Sequence, residues 1–482
     1  MAGLGTKNEF EEPEYKKDDL VHVHFLHRHV SAAFSYTALI LVAVFISTLT
    51  YIYAYTENST NVIIKNSDGD KTEFIYGSWP ALQNAEFFKK TKEDFISQKT
   101  SFIEADLSAM IIRFYKDGIL MKEAPIQTKG REGSWWETPA GLYKIGSKEE
   151  NHFSSFGRVY MPWSMQFQGN FFIHGPTRYP DGTPTASTYS GGCIKISLDD
   201  AEEIFRLADV GTPVLVFEKS FNGGKETIKY KNKNLLPDNV VYLAADLENN
   251  FVFAENKSND KRSIASITKL MSALIAVEYI NVEREVTINA PMLASTSIPR
   301  LREGNRASVL DLLSLLLLES SNEAAAAITE PLGENQFIKL MNTKANAVGM
   351  RNSSFTDTSG VLSANISTAE DLFNLAKYLY YNRSFVLRMS IGEENRAAYG
   401  QSQFRNLQNL NSIPGVAGMV GGKVGISSSA GDSMFGVFEV EIDGRKRPVA
   451  IIVLGANDAK DGIKILLEYI KNNFSSTISF AG

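Results

Sequence analysis

The sequence predicts a multidomain chain: one transmembrane helix, then a β-rich sandwich, then a separate α/β domain. Three observations carry that prediction. From Val30 to Thr56 no residue is charged. Residues 102–218 are a series of short apolar runs broken by Gly, Pro and Asp, and beyond residue 238 the pattern turns to hairpins and longer helical stretches. The 482 residues, 44% hydrophobic and 22% charged, suffice for two or three folded units. A net charge of −6 gives no electrostatic footprint for nucleic acid.

Residues 1–31 read as a cytoplasmic tail. They hold four of the six histidines, His22, His24, His27 and His29, with no carboxylate or cysteine organised around them. A solvated tail is therefore preferred to a metal site. The anchor spans 32–55, and its run Ala32 to Ala54 is long enough to cross a bilayer at about 1.5 Å per residue. It is apolar on every face and is followed by a polar stretch, which separates it from a buried globular helix. Lys16, Lys17 and Arg28 precede it and little positive charge follows closely, so the amino terminus belongs inside and everything after Thr56 outside. No small-x-small cleavage site is evident, which makes the anchor uncleaved. Residues 56–101 then read as a stalk with room for one short helix.

The β-rich stretch, bounded as 102–219, has strand-like runs at Ala109–Tyr115, Tyr143–Ile145, Asn170–His174 and Pro213–Glu218, with a helix at Leu198–Ala208. Its chemistry centres on Cys193, the one cysteine of the chain, in Ser190-Gly191-Gly192-Cys193-Ile194-Lys195-Ile196. A lone thiol closes no internal disulfide, and an oxidising exterior suits a reactive thiol better than a structural one. Two glycines give an accessible backbone, and Lys195 is expected to supply a field that favours thiolate. His174 ends the strand Phe171–Ile173, 19 residues upstream, and Pro176, Pro180, Asp181-Gly182 and Pro184 break the chain between them. A strand-end imidazole and a returning loop can meet at the contact distance of about 3 Å that base-assisted attack requires.

His174-Gly175 followed by Ser190-x-Gly192-Cys193-Ile194 resembles the active-site signature of the L,D-transpeptidases, cysteine enzymes that cross-link bacterial peptidoglycan peptides. Phe102–Ser108 with Tyr115–Gly118, Thr138-Pro139-Ala140-Gly141, and Met161-Pro162-Trp163 agree with it. The resemblance implies Cys193 as nucleophile, His174 as its base, and Gly175, Ser190, Gly192 and Lys195 around the substrate. The chain departs from the family at Gly191, where many members have a second histidine, and at Lys195, where arginine is common; a lysine is a point charge and an arginine a fork.

A linker at 220–237 leads to the last domain, 238–482. Val240–Asp246 and Phe251–Glu255 read as a hairpin, followed by a helical stretch from Ile264 to Ile280. Ser266 and Lys269, three residues apart, share a face near its amino end. Apolar neighbours tend to strip the proton from Lys269, which suits it as a base for the hydroxyl. Ser258-Asn259-Asp260-Lys261 has the same spacing but reads as a polar turn. The pattern gains force from Ser320-Ser321-Asn322 and Lys423-Val424-Gly425, in the order S-x-x-K, S-x-N and K-x-G. Met434–Ile442 and Pro448–Leu454 read as a closing hairpin and Ile463–Asn472 as a closing helix.

These boxes, with Phe337, Met341-Asn342, Phe355-x-Asp357, Ser359-Gly360 and Ser367-Thr368-Ala369, resemble the serine D,D-carboxypeptidases and D,D-endopeptidases of the penicillin-binding family. The resemblance implies Ser266 as the acylated nucleophile, Lys269 as base, and Ser320 and Asn322 positioning proton and substrate. Lys423, Val424, Gly425 and Ile426 would line the cleft, with the Ser266 and Ile426 N–H groups as oxyanion hole. Val424 replaces the family's threonine, and the lost hydroxyl is expected to cost about 10- to 100-fold unless Ser427, Ser428 or Ser429 replaces it. Three readings of this domain stay open: trimming of the terminal D-Ala, cutting of existing cross-links, and a silent module that aims the cysteine enzyme at the wall. The implied partners are peptidoglycan stem peptides, the membrane, and acylating β-lactams, with no nucleic acid, cofactor or metal.

Overall fold

The structure is a computed structural model that describes residues 62–65, 71–74 and 85–474, apart from 132–133, 135, 156, 186–190, 219–233, 249, 394–401 and 443–444. The tail, the anchor at 32–55, most of the 220–237 linker and Ser190 lie outside the described residues. Among the described residues no helix is long and apolar enough to cross a membrane.

The segment expected to be a stalk is in part folded against the first domain. A short hairpin, β1 (Val62–Lys65) with β2 (Lys71–Phe74), precedes helix α1 (Ala85–Ser97). Phe88 and Phe95 of α1 are buried with Phe102, Tyr115, Leu142 and Phe217, and Phe88 stacks on Phe217 with ring centroids 4.3 Å apart. The pair Ala85–Phe88 and Glu93–Phe95 thus forms a helix with an apolar face that finds a sheet to cover. That correction moves the start of the packed module upstream of residue 102.

The β-rich module is a sandwich, as its turn-broken apolar runs predict. One sheet has the order β5-β4-β3-β11-β6, from β3 (Phe102–Asp106), β4 (Ile111–Lys116), β5 (Ile119–Pro125), β6 (Gly141–Lys144) and β11 (Pro213–Phe217). The other has the order β10-β9-β8-β7, from β7 (Ser147–Ser154), β8 (Val159–Gln168), β9 (Phe171–His174) and β10 (Ile194–Lys195). Ile103, Phe114, Met165, Ile173, Ile194 and Val214 fill the space between the sheets. Helix α2 (Leu198–Leu207) follows the cysteine; Ser197 caps its first turn by accepting from Asp200 N, Asp199 and Asp200 offset its dipole, and Ala201 and Ile204 bury its inner face.

The second module has a five-stranded antiparallel sheet of order β13-β12-β20-β19-β18, from β12 (Val241–Asp246), β13 (Val252–Asn256), β18 (Met419–Ser427), β19 (Gly431–Ile442) and β20 (Arg445–Ala456). The short pairs β14 (Arg262–Ser263) with β17 (Ile366–Ser367) and β15 (Glu285–Thr287) with β16 (Arg306–Ser308) tie its loops. One face packs with α3 (Thr268–Tyr279), α4 (Val309–Leu318), α5 (Asn322–Ala327), α6 (Glu334–Ala347), α7 (Ala369–Asn382) and α8 (Ser384–Ile391) in one apolar core. The other face is covered by α9 (Ala459–Phe474). Every residue of α4 is buried, as a helix apolar on nearly all sides requires. It packs against α3, α5 and α8. The polar turn at 258–261 is a turn: Ser258 bonds Glu255 and Glu370.

The sequence divides these modules by a linker, yet residues 61–482 group into one compact unit. Ala140, before β6 of the sandwich, is counted in the helical core of the second module.

Candidate active sites

Ser266 lies in a 3-10 turn, Ala265–Ile267, that runs into α3, so the helix expected from Ile264 starts at Thr268. The turn is tight: Ala265 has a φ of 44°, and a Cβ on Gly360 would lie 1.9 Å from the Ala265 carbonyl oxygen. One turn of spacing brings Lys269 Nζ to 2.9 Å from Ser266 Oγ. The same nitrogen lies 2.8 Å from Asn322 Oδ1 and donates to Ser359 O at 2.6 Å. Burial lowers the Lys269 pKa to about 7, against a smaller opposing pull from Asp357. Near neutral pH the amine therefore offers a lone pair to the serine hydroxyl.

Sequence reasoning did not single out what holds this lysine. Asp357 Oδ1 accepts from the Ser359 and Gly360 N–H groups, each at 2.6 Å, and its Oδ2 accepts from Leu362 N and Asn365 Nδ2, each at 2.9 Å. The loop that presents Ser359 O is thereby fixed. The signal was local, since an Asp two residues before a Ser-Gly pair is an Asx-turn pattern. Asn322 Nδ2 is oriented by Ser295 O at 2.7 Å, a contact across 27 residues that no local pattern reveals.

Ser320 has a φ of 57°, and its Oγ lies 3.0 Å from Lys423 Nζ. Lys423 is fully buried, and its pKa is pushed well below the ordinary lysine value by burial first and by the charge of Lys269 second. All three boxes thus meet in one cleft. On β18 the side chains alternate. Lys423 reaches Ser320, and a Cβ on Gly425 would lie 2.5 Å from Ile264 O, so odd positions face the serine. Val424 is counted instead in the apolar cluster of the far face with Ile413 and Met434, and Ile426 is 68% exposed. The expected handicap of a missing hydroxyl in the cleft therefore does not follow, because the valine side chain is turned away from it. The replacement serines do form a cluster at the strand's end: Ser429 Oγ is 3.1 Å from Ser427 Oγ and 3.2 Å from Ser263 Oγ.

In the sandwich, β10 pairs in parallel with β9, with Ile194 opposite Ile173 and Lys195 opposite His174. That register sets Cys193 level with Phe172, two residues before the histidine. Cys193, His174, Gly191 and Lys195 line a cavity of about 260 Å³ together with His152 and Phe172. His174 Nδ1 lies 2.6 Å from Gly175 O; a carbonyl only accepts, so the proton sits on Nδ1 and Nε2 keeps its lone pair. Burial takes the His174 pKa down to about 4, and Cys193 Sγ donates to Asn170 O at 3.7 Å.

The expectation of a field that favours thiolate fails here. Burial pushes the Cys193 thiol up to about 12, and burial lowers Lys195 as well. Desolvation of the anion outweighs the backbone hydrogen bond at Phe172 that favours it. Of the implied substrate residues, Gly192 has a φ of 101°, and a Cβ there would lie 2.5 Å from Trp136 O and 2.6 Å from the Phe171 ring. Gly175 donates its N–H to Pro162 O at 2.9 Å. His152, stacked on Phe172 at 4.8 Å, was not found from the sequence, where it sits alone in a polar strand.

Comparison with known proteins gives two family matches. A D-alanyl-D-alanine carboxypeptidase model matches residues 220–458, and an L,D-transpeptidase catalytic domain model matches residues 100–216. A D-alanyl-D-alanine endopeptidase of Escherichia coli is 31% identical over 225 residues, 44% of this chain and 70% of that protein. One from Pseudomonas aeruginosa is 38% identical over 117 residues, 23% of this chain and 38% of that protein. The D-alanyl-D-alanine carboxypeptidase DacD of Escherichia coli is 26% identical over 55% of this chain and 72% of its own length. Among solved structures, penicillin-binding protein D2 of Listeria monocytogenes in its ampicillin-bound form is 25% identical. It aligns with 49% of this chain and 99% of its own at a TM-score of 0.42.

Proposed function

Because the chain belongs to the D-alanyl-D-alanine carboxypeptidase family and carries an L,D-transpeptidase catalytic domain ahead of that module, we propose that it remodels peptidoglycan stem peptides in two steps. In the first, Ser266 Oγ attacks the carbonyl of the penultimate D-Ala of a pentapeptide stem. Lys269 takes the hydroxyl proton and returns it to the departing D-Ala amine, with Ser320 and Lys423 completing the path. Water then releases the tetrapeptide and frees Ser266. In the second, the Cys193 sulfur attacks the L,D-amide of the tetrapeptide, releases its D-Ala, and holds the acyl group as a thioester. A neighbouring stem amine displaces the sulfur, giving a 3→3 cross-link, and His174 carries the proton out and back.

One observation carries this reading: each nucleophile shares its pocket with a base already oriented by other contacts. Lys269 is aimed by Asn322 and Ser359, and His174 by Gly175 O. Product of the first site is substrate of the second, so joining them raises its local concentration on an immobile polymer. β-Lactams, which mimic the D-Ala-D-Ala end, should acylate Ser266. Residues 32–55 would anchor the chain in a cytoplasmic membrane with both sites outside; protease accessibility of the two modules in spheroplasts tests that placement.

A second reading has its own support. The relatives at 31–38% identity are endopeptidases, and the carboxypeptidases match at 25–28%. In that case the serine site cuts 4→3 cross-links while the cysteine site makes 3→3 ones. The deciding experiment gives full-length protein, Cys193→Ala and Ser266→Ala a pentapeptide monomer and a 4→3 dimer in parallel, with products weighed by mass spectrometry. Ser266-dependent loss of one D-Ala followed by Cys193-dependent dimers supports the first reading. Cleavage of the dimer alone supports the second, and no Ser266-dependent product from either defeats both.

A further inference from the structure

The seam between the two modules is organised around a buried carboxylate that neither nucleophile uses. Glu278 stands in the last turn of α3, the helix whose first turn carries Lys269. Its Oε2 receives Lys344 Nζ at 2.7 Å and Gln168 Nε2 at 3.1 Å. Its Oε1 receives the Tyr378 hydroxyl at 2.6 Å and faces Arg383 Nε at 3.2 Å. Arg383, at the joint of α7 and α8, is fully buried. The buried Glu137 carboxylate also acts on the Arg383 charge, so two carboxylates face two cations, and adhesion alone is better served by apolar side chains.

The remaining contacts of Arg383 lead across the seam to the walls of the cysteine turn. Its Nη1 donates to Glu137 O at 2.8 Å, and its guanidinium lies 5.0 Å from the centre of the Phe171 ring. Beside it, Asn382 Oδ1 accepts from Ala140 N at 3.2 Å. Between those two anchored points, Thr138 Oγ1 donates to Gly192 O at 2.7 Å. Gly192 itself is wedged against Trp136 O and the Phe171 ring. From the other side, Asn170 N donates to Glu278 O at 3.1 Å while Asn170 O receives the Cys193 thiol. The turn that holds the sulfur is thus gripped between segment 136–140 and the β8–β9 turn, and both are tied to the serine module.

We propose that Arg383 is a positioning residue for the cysteine nucleophile, supplied by the serine module. With Asn382 and the Glu278 carbonyl it fixes the two surfaces that set where Cys193 points. The cysteine site is then complete only with the second module docked.

The test is Arg383→Met in the full-length chain. Glu278 keeps Lys344, Tyr378 and Gln168 in that variant, while the buried Glu137 loses the cation that acts on it. Three quantities are read: the alkylation rate of Cys193 by iodoacetamide, kcat and KM for tetrapeptide dimerisation, and acylation of Ser266 by a fluorescent penicillin. The expected result is a fall in dimerisation kcat of about 10- to 100-fold, as for a nucleophile displaced by about 1 Å. KM and penicillin acylation should stay within about threefold, and alkylation should quicken as the loosened turn exposes the sulfur. Arg383→Lys should recover part of kcat, because it keeps a cation by Phe171 and loses the fork to Glu137 O. Unchanged kcat and alkylation overturn the proposal. So does an equal fall in penicillin acylation and dimerisation, which marks general loosening. If Arg383→Met is insoluble, Asn382→Ala, which releases Ala140 alone, must show the same split or the proposal fails. Only the turnover arm rests on the transpeptidase reading; if wild type makes no dimers, that reading falls and alkylation still decides the role of Arg383.

Discussion

The serine cleft and the cysteine cavity each pair a candidate nucleophile with a buried candidate base, and burial acts on them in opposite ways. In the cleft, desolvation falls on a lysine, whose charged form is the one to be lost, and brings its pKa down to about 7. In the cavity it falls on both partners, raising the thiol to about 12 and lowering the imidazole to about 4. The first pair is poised at rest. The second rests as neutral thiol and neutral imidazole, and its proton transfer must coincide with attack on a bound carbonyl. On the proposed roles, the same physical term favours the neutral base at one site and disfavours an ion pair at the other.

Removing either nucleophile is the strongest way to break the comparison. Ser266→Ala should abolish penicillin acylation and D-Ala release by a factor on the order of 10³ or more while cysteine-dependent dimerisation of tetrapeptide persists. Cys193→Ala should do the reverse. Loss of both activities in either variant would mean one site and not two.

Backbone strain gives the next effect. Gly192→Ala forces a Cβ against Trp136 O and Phe171 at a φ of 101°, and Gly360→Ala forces one against the Ala265 carbonyl at a φ of 83°. Each should lower turnover at its own site by about 10²-fold, through displacement of the adjacent nucleophile, and spare the other site. Kinetics on tetrapeptide and penicillin separate the two.

The pH profiles sharpen the contrast at smaller cost to the protein. Lys269 works as a base, so penicillin acylation should be level above about pH 7 and fall about tenfold per unit below it. Alkylation of Cys193 follows the thiolate fraction, so it should keep climbing about tenfold per unit from about pH 7 to 10 without a plateau. A plateau near pH 7 in alkylation would show an ion pair at rest and reverse the contrast.

The smallest effect expected is at Val424→Thr. Its side chain is packed on the far face of β18, so penicillin acylation should change by less than about threefold, and a buried hydroxyl should lower stability by about 1 to 3 kcal/mol. A gain of about 10-fold or more would place that side chain in the cleft after all.

Much of this molecule is legible from order and spacing. Ser266 and Lys269 meet because three residues are one helical turn, and His174 with Gly192-Cys193 announces a strand end beside a glycine turn; both are local geometry that any fold would respect. The β-sandwich, the hairpin β12–β13 and the long final strands follow from apolar runs and their breakers for the same reason. The helix α1 was legible as a helix but not as part of the core, because what covers an apolar face is set by a sheet assembled from residues distant in the chain. Val424 was read by its identity in a motif, and only the strand's alternation shows where it points. The charge state of Cys193, the carbonyl of Ser359 that aims Lys269, and the Arg383 tie across the seam belong wholly to the tertiary structure. Desolvation, buried charge and long-range contact are properties of surroundings, and surroundings exist only once the chain has folded.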